Sequence, residues 1–196
     1  MTRLPLTLCV CIAAALPAAL PAAAQAGAPA VNMQVGKVES TLKPHPGTSV
    51  QWGRAVVLID APIDHVMAAI QNYGAYKSFL PNCEDSRVLA QRGASALVYV
   101  KVTVMHGAAN LWAEVKLRPR PAQGNTRIIE GSMTRGNMDH FEAVWEATPV
   151  DGRTLVAFQI LVDPDLPVPA SLVDRENERS ANKALRALRD LLAKRK

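Results

Sequence analysis

Few residues in this chain have the chemistry for catalysis or metal binding. Histidines stand at His45, His65, His106 and His140, and cysteines at Cys9, Cys11 and Cys83. No histidine falls at a zinc-ligand spacing with another histidine or with Cys83. No glycine-rich phosphate loop and no nucleophile elbow is present, and Gly131-Ser132 lacks the flanking pattern. Asp139-His140 is no dyad, because neighbours on a strand point to opposite faces. His45 lies in a turn, and His65 belongs on a helix surface. His106 stands apart: it continues the alternating run Val98, Val100, Val102 and Val104, which points it inward near a strand end. There it is either a rim histidine bonded to backbone or water, or a polar contact for a ligand head group. A general base needs an oriented partner, and His106 has none that the sequence names. No metal and no cofactor is expected.

The elements that would position these residues are legible from periodicity. Val31–Thr41 fits both a strand (Val31, Met33, Val35) and a helical turn (Val35, Val38, Leu42), with strand preferred. Pro44-His45-Pro46-Gly47 is a turn. Val50–Ile59 is rich in β-branched residues and apolar on both faces, which predicts a strand covered on both sides. Ala61-Pro62 opens a helix, since proline is tolerated where its missing N–H has no partner. Ile63, Val66, Met67, Ile70 and Tyr73 give that helix one apolar stripe, and Gly74 is expected to end it.

A meander follows: a short run at Ser86–Ala90, then Ala96–His106, Leu111–Arg118, Thr126–Met133, Met138–Pro149 and Thr154–Val162. Each longer run has one apolar and one polar side, as in an antiparallel sheet covered on a single face. Glycine- and proline-bearing turns separate them, including Pro121–Gly124 and Asp151-Gly152. From about Ala170 no proline or glycine interrupts, so ~25 residues at ~1.5 Å each form one long terminal helix. Its stripe reads Asn177, Ala181, Ala184 with Leu185, Leu188 and Leu191. The small and polar first half either leaves a gap over the sheet or lets helix and sheet approach closely.

The ends and the composition set outer bounds. Arg3, the Leu/Ala-rich run to about Leu20 and the alanines near Ala24 read as a secretory signal over residues 1–26, cleaved after Ala24 or Ala26. Cys9 and Cys11 leave with it, so Cys83 is alone and expected to be buried. Export without disulfides suits a bacterial periplasm. Residues 27–49 form a leader with room for an extra strand, and 50–196 form one domain. The net charge of +5 is mild, and basic residues do not interleave with aromatics, which argues against nucleic acid. Arg175, Arg179, Lys183, Arg186, Arg189, Lys194, Arg195 and Lys196 make the last helix basic, either as a solvated face or as a contact for anionic lipid at a membrane or a membrane transporter.

Three segments together carry a resemblance. Residues 59–81, IDAPIDHVMAAIQNYGAYKSFLP, lead from Ala-Pro through a helix into a tyrosine-phenylalanine-proline loop. Phe141–Trp145 and VDPDLPVPASLV leading into NKALRALRDLL support it. The chain resembles the START-like superfamily (SRPBCC), which includes polyketide cyclases, coenzyme Q-binding proteins and lipid-transfer domains. The resemblance covers roughly residues 50–194. It implies an α+β helix-grip fold, a curved antiparallel sheet around a long C-terminal helix, enclosing an apolar cavity. It carries over no enzyme activity, because one fold hosts unrelated functions.

On that fold Val100, Val102, Val104, Leu111, Phe141, Trp145 and Phe158 line the inner face of the sheet. Met105, Met133 and Met138 adapt near loop ends, and Tyr76 and Phe79 gate the mouth or plug it. The expected ligand contacts are Phe79, Val100, Val102, Val104, His106, Leu111, Met133, Phe141, Trp145, Phe158, Ala181 and Leu185. Binding of a hydrophobic small molecule such as a lipid, quinone or polycyclic terpenoid, without covalent chemistry, is the expectation. The alternatives are a cyclase-like enzyme in the same pocket, with His106 in its polar pair, and an interaction module with a filled core that uses the basic helix or Trp112.

Overall fold

A computed structural model describes residues 33–104, 107, 109–164 and 166–194. The expected signal segment, Met105 and His106 lie outside the described residues. The strands are β1 (Glu39–Lys43), β2 (Trp52–Ile59), β3 (Cys83–Arg92), β4 (Ser95–Val104), β5 (Ala109–Gln123), β6 (Thr126–Gly136), β7 (His140–Val150) and β8 (Arg153–Asp163). The helices are α1 (Ile63–Gln71), α2 (Tyr76–Phe79) and α3 (Ala170–Ala193). The strands form one antiparallel sheet in the order β1-β2-β8-β7-β6-β5-β4-β3. Every β connection is a hairpin except β2 to β3, where α1 and α2 carry the chain from one side of the sheet to the other edge. The Asp151-Gly152 hairpin works because both residues take positive φ, 47° and 76°, which matches the strand twist.

Alternation places one side of each strand in the core. On β5, Leu111, Ala113, Val115 and Leu117 are buried while Glu114, Lys116 and Arg118 are not. α3 packs on β1, β2 and β8. Its buried side holds Ala181, Ala184, Leu185, Leu188 and Leu192. Leu192 takes the place expected of Leu191, which is only partly buried.

Several boundaries differ from expectation, each for a physical reason. Among the described residues the first strand begins at Glu39, pairing with β2 from Lys43↔Trp52 to Glu39↔Val56; Val31 lies outside the described residues, and Val35 contributes a lone bridge to Leu58. β2 is covered mainly on one side: Trp52, Arg54 and Val56 stay half-exposed, and Arg54 meets Glu146 of β7 on that outer face. α1 stops at Gln71, short of Gly74, because Asn72 leaves the helical region (φ −80°, ψ 63°). A single tight turn, Tyr73–Ala75, and α2 follow. The Tyr76 hydroxyl donates to the Ile70 carbonyl at 2.6 Å, supplying a partner that the helix end lacks. β3 runs ten residues rather than five, since its partner β4 offers a full ladder from Val102 to Ser95. β5 continues through Pro119 and Pro121 to Gln123; a register shift after Arg120 absorbs the proline there.

Candidate functional site: an apolar cavity under the terminal helix

The sheet curls beneath α3, but α3 is tied to only one part of it. At Gly53 on β2 the helix comes so near that a Cβ would stand 2.1 Å from the Asn177 carbonyl and 2.4 Å from the Glu178 nitrogen. Asn177 is buried and donates through Nδ2 to the carbonyls of Gln51 (3.0 Å) and Val162 (3.2 Å), while its Oδ1 accepts from the Val162 N–H (3.2 Å). Asp174, one turn earlier, accepts from the Gln51 backbone N–H at 2.7 Å and from its side chain at 3.0 Å. These polar contacts pin the first half of α3 over β2 and β8. Over β4, β5 and β7 the layers part.

The resulting cavity is about 510 Å³. An empty void of that size would cost on the order of 12 kcal/mol, as much as a whole domain's stability, so the space holds solvent or a ligand. Its floor is Val100, Val102 and Val104 of β4, Leu111, Ala113, Val115 and Leu117 of β5, and Phe141, Ala143 and Trp145 of β7. Phe158, Ile160 and Val162 of β8 complete it. The Trp145 and Phe158 rings stack 3.9 Å apart. Ala113 and Ala143 of the sheet and Ala184 of α3 border this space with only a methyl group each, which keeps the layers from filling it. The mouth is bordered by Leu80 to Cys83, by Leu166, Val168 and Leu172 at the approach to α3, and by Glu176, Arg179 and Lys183 on the helix. The wall is thus apolar, with charge confined to one rim, the usual division in a small-molecule pocket.

The titratable groups on the wall are held neutral. Burial, aided by the neighbouring Asp85 carboxylate, pushes the Cys83 thiol up to about 11. Burial likewise pushes the Tyr76 phenol well above its ordinary value. Cys83 is half-buried rather than buried, because it sits at the cavity edge. The thiolate is the reactive form, so alkylation of Cys83 at pH 8 is expected to run roughly 100-fold slower than for an ordinary cysteine, rising about tenfold per pH unit up to about pH 11. Stopped-time labelling followed by mass spectrometry measures this; an ordinary rate at pH 8 would contradict it. The linked effect on stability has a definite sign. The unfolded thiol ionises first, so this group costs nothing below about pH 8.5 and destabilises the fold as pH climbs towards 11.

Of the residues that the sequence singles out, Val100, Val102, Val104, Leu111, Phe141, Trp145 and Phe158 line the cavity. His106 lies outside the described residues. Phe79 does not reach the wall; it packs edge-on against Tyr76, 5.6 Å between centroids, and Tyr76 lines the cavity instead. Met133 is not part of the wall either; it packs against the core, its sulfur 2.5 Å from where a Cβ on Gly136 would stand. Ala181 and Leu185 are fully buried in the helix–sheet seam. The cavity-facing side of α3 is instead Val173, Asn177, Ser180 and Ala184. Both readings of the small-residue stripe therefore apply: close approach at Asn177 and Ala181, a gap at Ala184. Ile160 and Val162 were within reach of the alternation that gives Phe158. Leu166 and Val168, in an irregular loop, carry no such signal. The filled-core alternative fails, because the interior is open.

Comparison with known proteins agrees with this architecture. The family model described as polyketide cyclase / dehydrase and lipid transport matches residues 59–189. A search of the curated proteins gives no match. Among solved structures, the chain is similar to a STAR-related lipid transfer protein from Xanthomonas axonopodis, with TM-score 0.70 and 15% identity over 82% of this chain and 96% of that one. It is similar to a START superfamily protein from Mycobacterium smegmatis, with TM-score 0.65 and 17% identity over 74% and 99%. The Zhui aromatase/cyclase from Streptomyces sp. R1128 is similar at TM-score 0.56 and 14% identity, over 74% and 94%. Identities this low speak for the fold alone. With the family model spanning well over half of its length and the helix-grip architecture in place, the chain belongs to the polyketide cyclase/dehydrase and lipid transport family.

Proposed function

We propose that this protein is an exported, periplasmic carrier that holds one hydrophobic small molecule in the cavity beneath α3 and releases it unchanged. The observation that carries this reading is the apolar volume of about 510 Å³ with charge only at its rim. That volume lies within the ~300–1,000 Å³ of small-molecule sites. It suits one lipid chain, a quinone or a fused-ring terpenoid. The wall also argues for holding rather than reacting, since a thiol pushed up to about 11 is a poor nucleophile at neutral pH. Leu166, Val168 and Leu172 beside Arg179 and Lys183 give the mouth an apolar lip with basic neighbours, a chemistry that suits the surface of an anionic bilayer or a membrane partner.

Delipidated protein is expected to bind an apolar fluorescent probe at one equivalent, and protein purified from its native host to release a lipophile into organic solvent. Fluorescence titration and mass spectrometry of the extract measure these. No probe binding together with a clean extract would overturn the carrier reading. The family description and the likeness to an aromatase/cyclase favour one second reading, cyclisation of a polyketide-like substrate in the same cavity. That reading requires turnover that is lost in His106→Ala.

A further inference from the structure

The turn Pro44–Gly47 brings His45 to the outer face of the sheet, opposite the cavity. On β7, His140 and Glu142 are two residues apart and share that outer face, while Phe141 and Ala143 point inward. The sequence spacing hides this meeting, because His45 lies in the turn before β2 and His140 on β7, and only the sheet order β2-β8-β7 brings the two together. The imidazole centroids of His45 and His140 are 5.7 Å apart, and His140 Nε2 is 2.9 Å from Glu142 Oε1. One donor atom each from His45, His140 and Glu142 lie within 4.8 Å of one another. We propose that these three side chains form a binding site for a divalent transition metal of the zinc type.

Several observations carry the proposal. The donor set is chemically apt: imidazole with one carboxylate suits zinc, and leaves one position of a tetrahedron open. The spacing is close to what is needed. Donors at 2.0–2.2 Å from a tetrahedral centre stand about 3.4 Å apart, so side-chain rotations of about 0.7 Å at each end close the site. The supports are stiff as well. Pro46 restricts His45 to extended backbone, and the His45 ring lies against Trp52, 5.6 Å between centroids. His45 Nδ1 is buried and makes no hydrogen bond among the described residues, so this ring has polar capacity that the protein alone does not satisfy. Asp163, the cross-strand partner of His140, adds a further carboxylate on the same face. The site stands on a different face from the cavity and does not depend on the carrier reading.

The test uses untagged protein and Zn²⁺ or Co²⁺ alone. Calorimetric titration is expected to give about one equivalent bound with micromolar or tighter affinity, and Co²⁺ to show the visible bands of tetrahedral coordination. His45→Ala and Glu142→Gln are each expected to weaken binding roughly tenfold or more, the loss that even outer partners of a metal produce. Both variants should keep the metal-free melting temperature, which separates ligand loss from unfolding. His65→Ala, on the exposed side of α1, should bind as the parent does. Binding well below one equivalent, or His45→Ala titrating like the parent, would overturn the proposal.

Discussion

Val102→Trp is expected to abolish uptake of an apolar probe while leaving the protein folded. Val102 stands near the end of β4, paired with Leu111 on one side and Cys83 on the other, and all three line the cavity. Its side chain is half-exposed because it borders open volume rather than packed neighbours. An indole there grows into space that already exists, so it need not strain the sheet, unlike an enlargement in a solid core. The variant should melt within about 4 °C of the parent, the shift that ~1 kcal/mol makes in a domain of this size. Probe affinity should fall roughly 30-fold or more, about 2 kcal/mol, because the ligand must give up the volume the ring takes. Paired titration and thermal unfolding read both numbers. Parent-like affinity in a folded Val102→Trp protein would mean that the ligand binds elsewhere, and the carrier reading would lose its site.

Gly53→Ala is expected to destabilise the fold by about 3 kcal/mol or more, because it forces two backbones apart. Gly53 sits inside the sheet, between Leu42 of β1 and Ile160 of β8. The added methyl would meet main-chain atoms of α3 at 2.1–2.4 Å, and main chain cannot rotate away as a side chain can. α3 would have to lift by an ångström or more. Lifting stretches the Asn177 bonds to Gln51 and Val162 and the Asp174 bonds to Gln51, leaving buried polar groups without partners. A melting temperature lower by about 6–12 °C is the expected reading. Retained folded protein should also bind the probe more weakly, since α3 is the cavity's roof. A shift under 2 °C would show that the helix does not rest on β2 as described.

These outcomes separate what is local from what is not. The strand faces of β4, β5, β7 and β8 follow from alternation over ten or so residues, and they were legible because each side chain's face depends only on its own strand. The extent of α3 was legible for the same reason: no proline or glycine interrupts it. Where local rules compete, reading fails. Gly74 is a plausible helix stop, yet α1 ends earlier because Tyr73 and Tyr76 must turn inward to be buried. Ser86–Ala90 looks like a short strand, yet β4 offers a ladder that extends it at both ends.

The sequence by itself determined the element order, the apolar face of each strand and the long basic terminal helix, since these rest on short-range periodicity. Only the tertiary structure decided where α3 rests. It showed that Asn177 is a clamp, that Ala184 rather than Ala181 or Leu185 faces the cavity, and that His45 meets His140 and Glu142. Each of these depends on contacts between residues far apart in the chain, such as Asn177 with Gln51. Periodicity gives the face of an element but not its height above its neighbour, and that height is what makes a cavity.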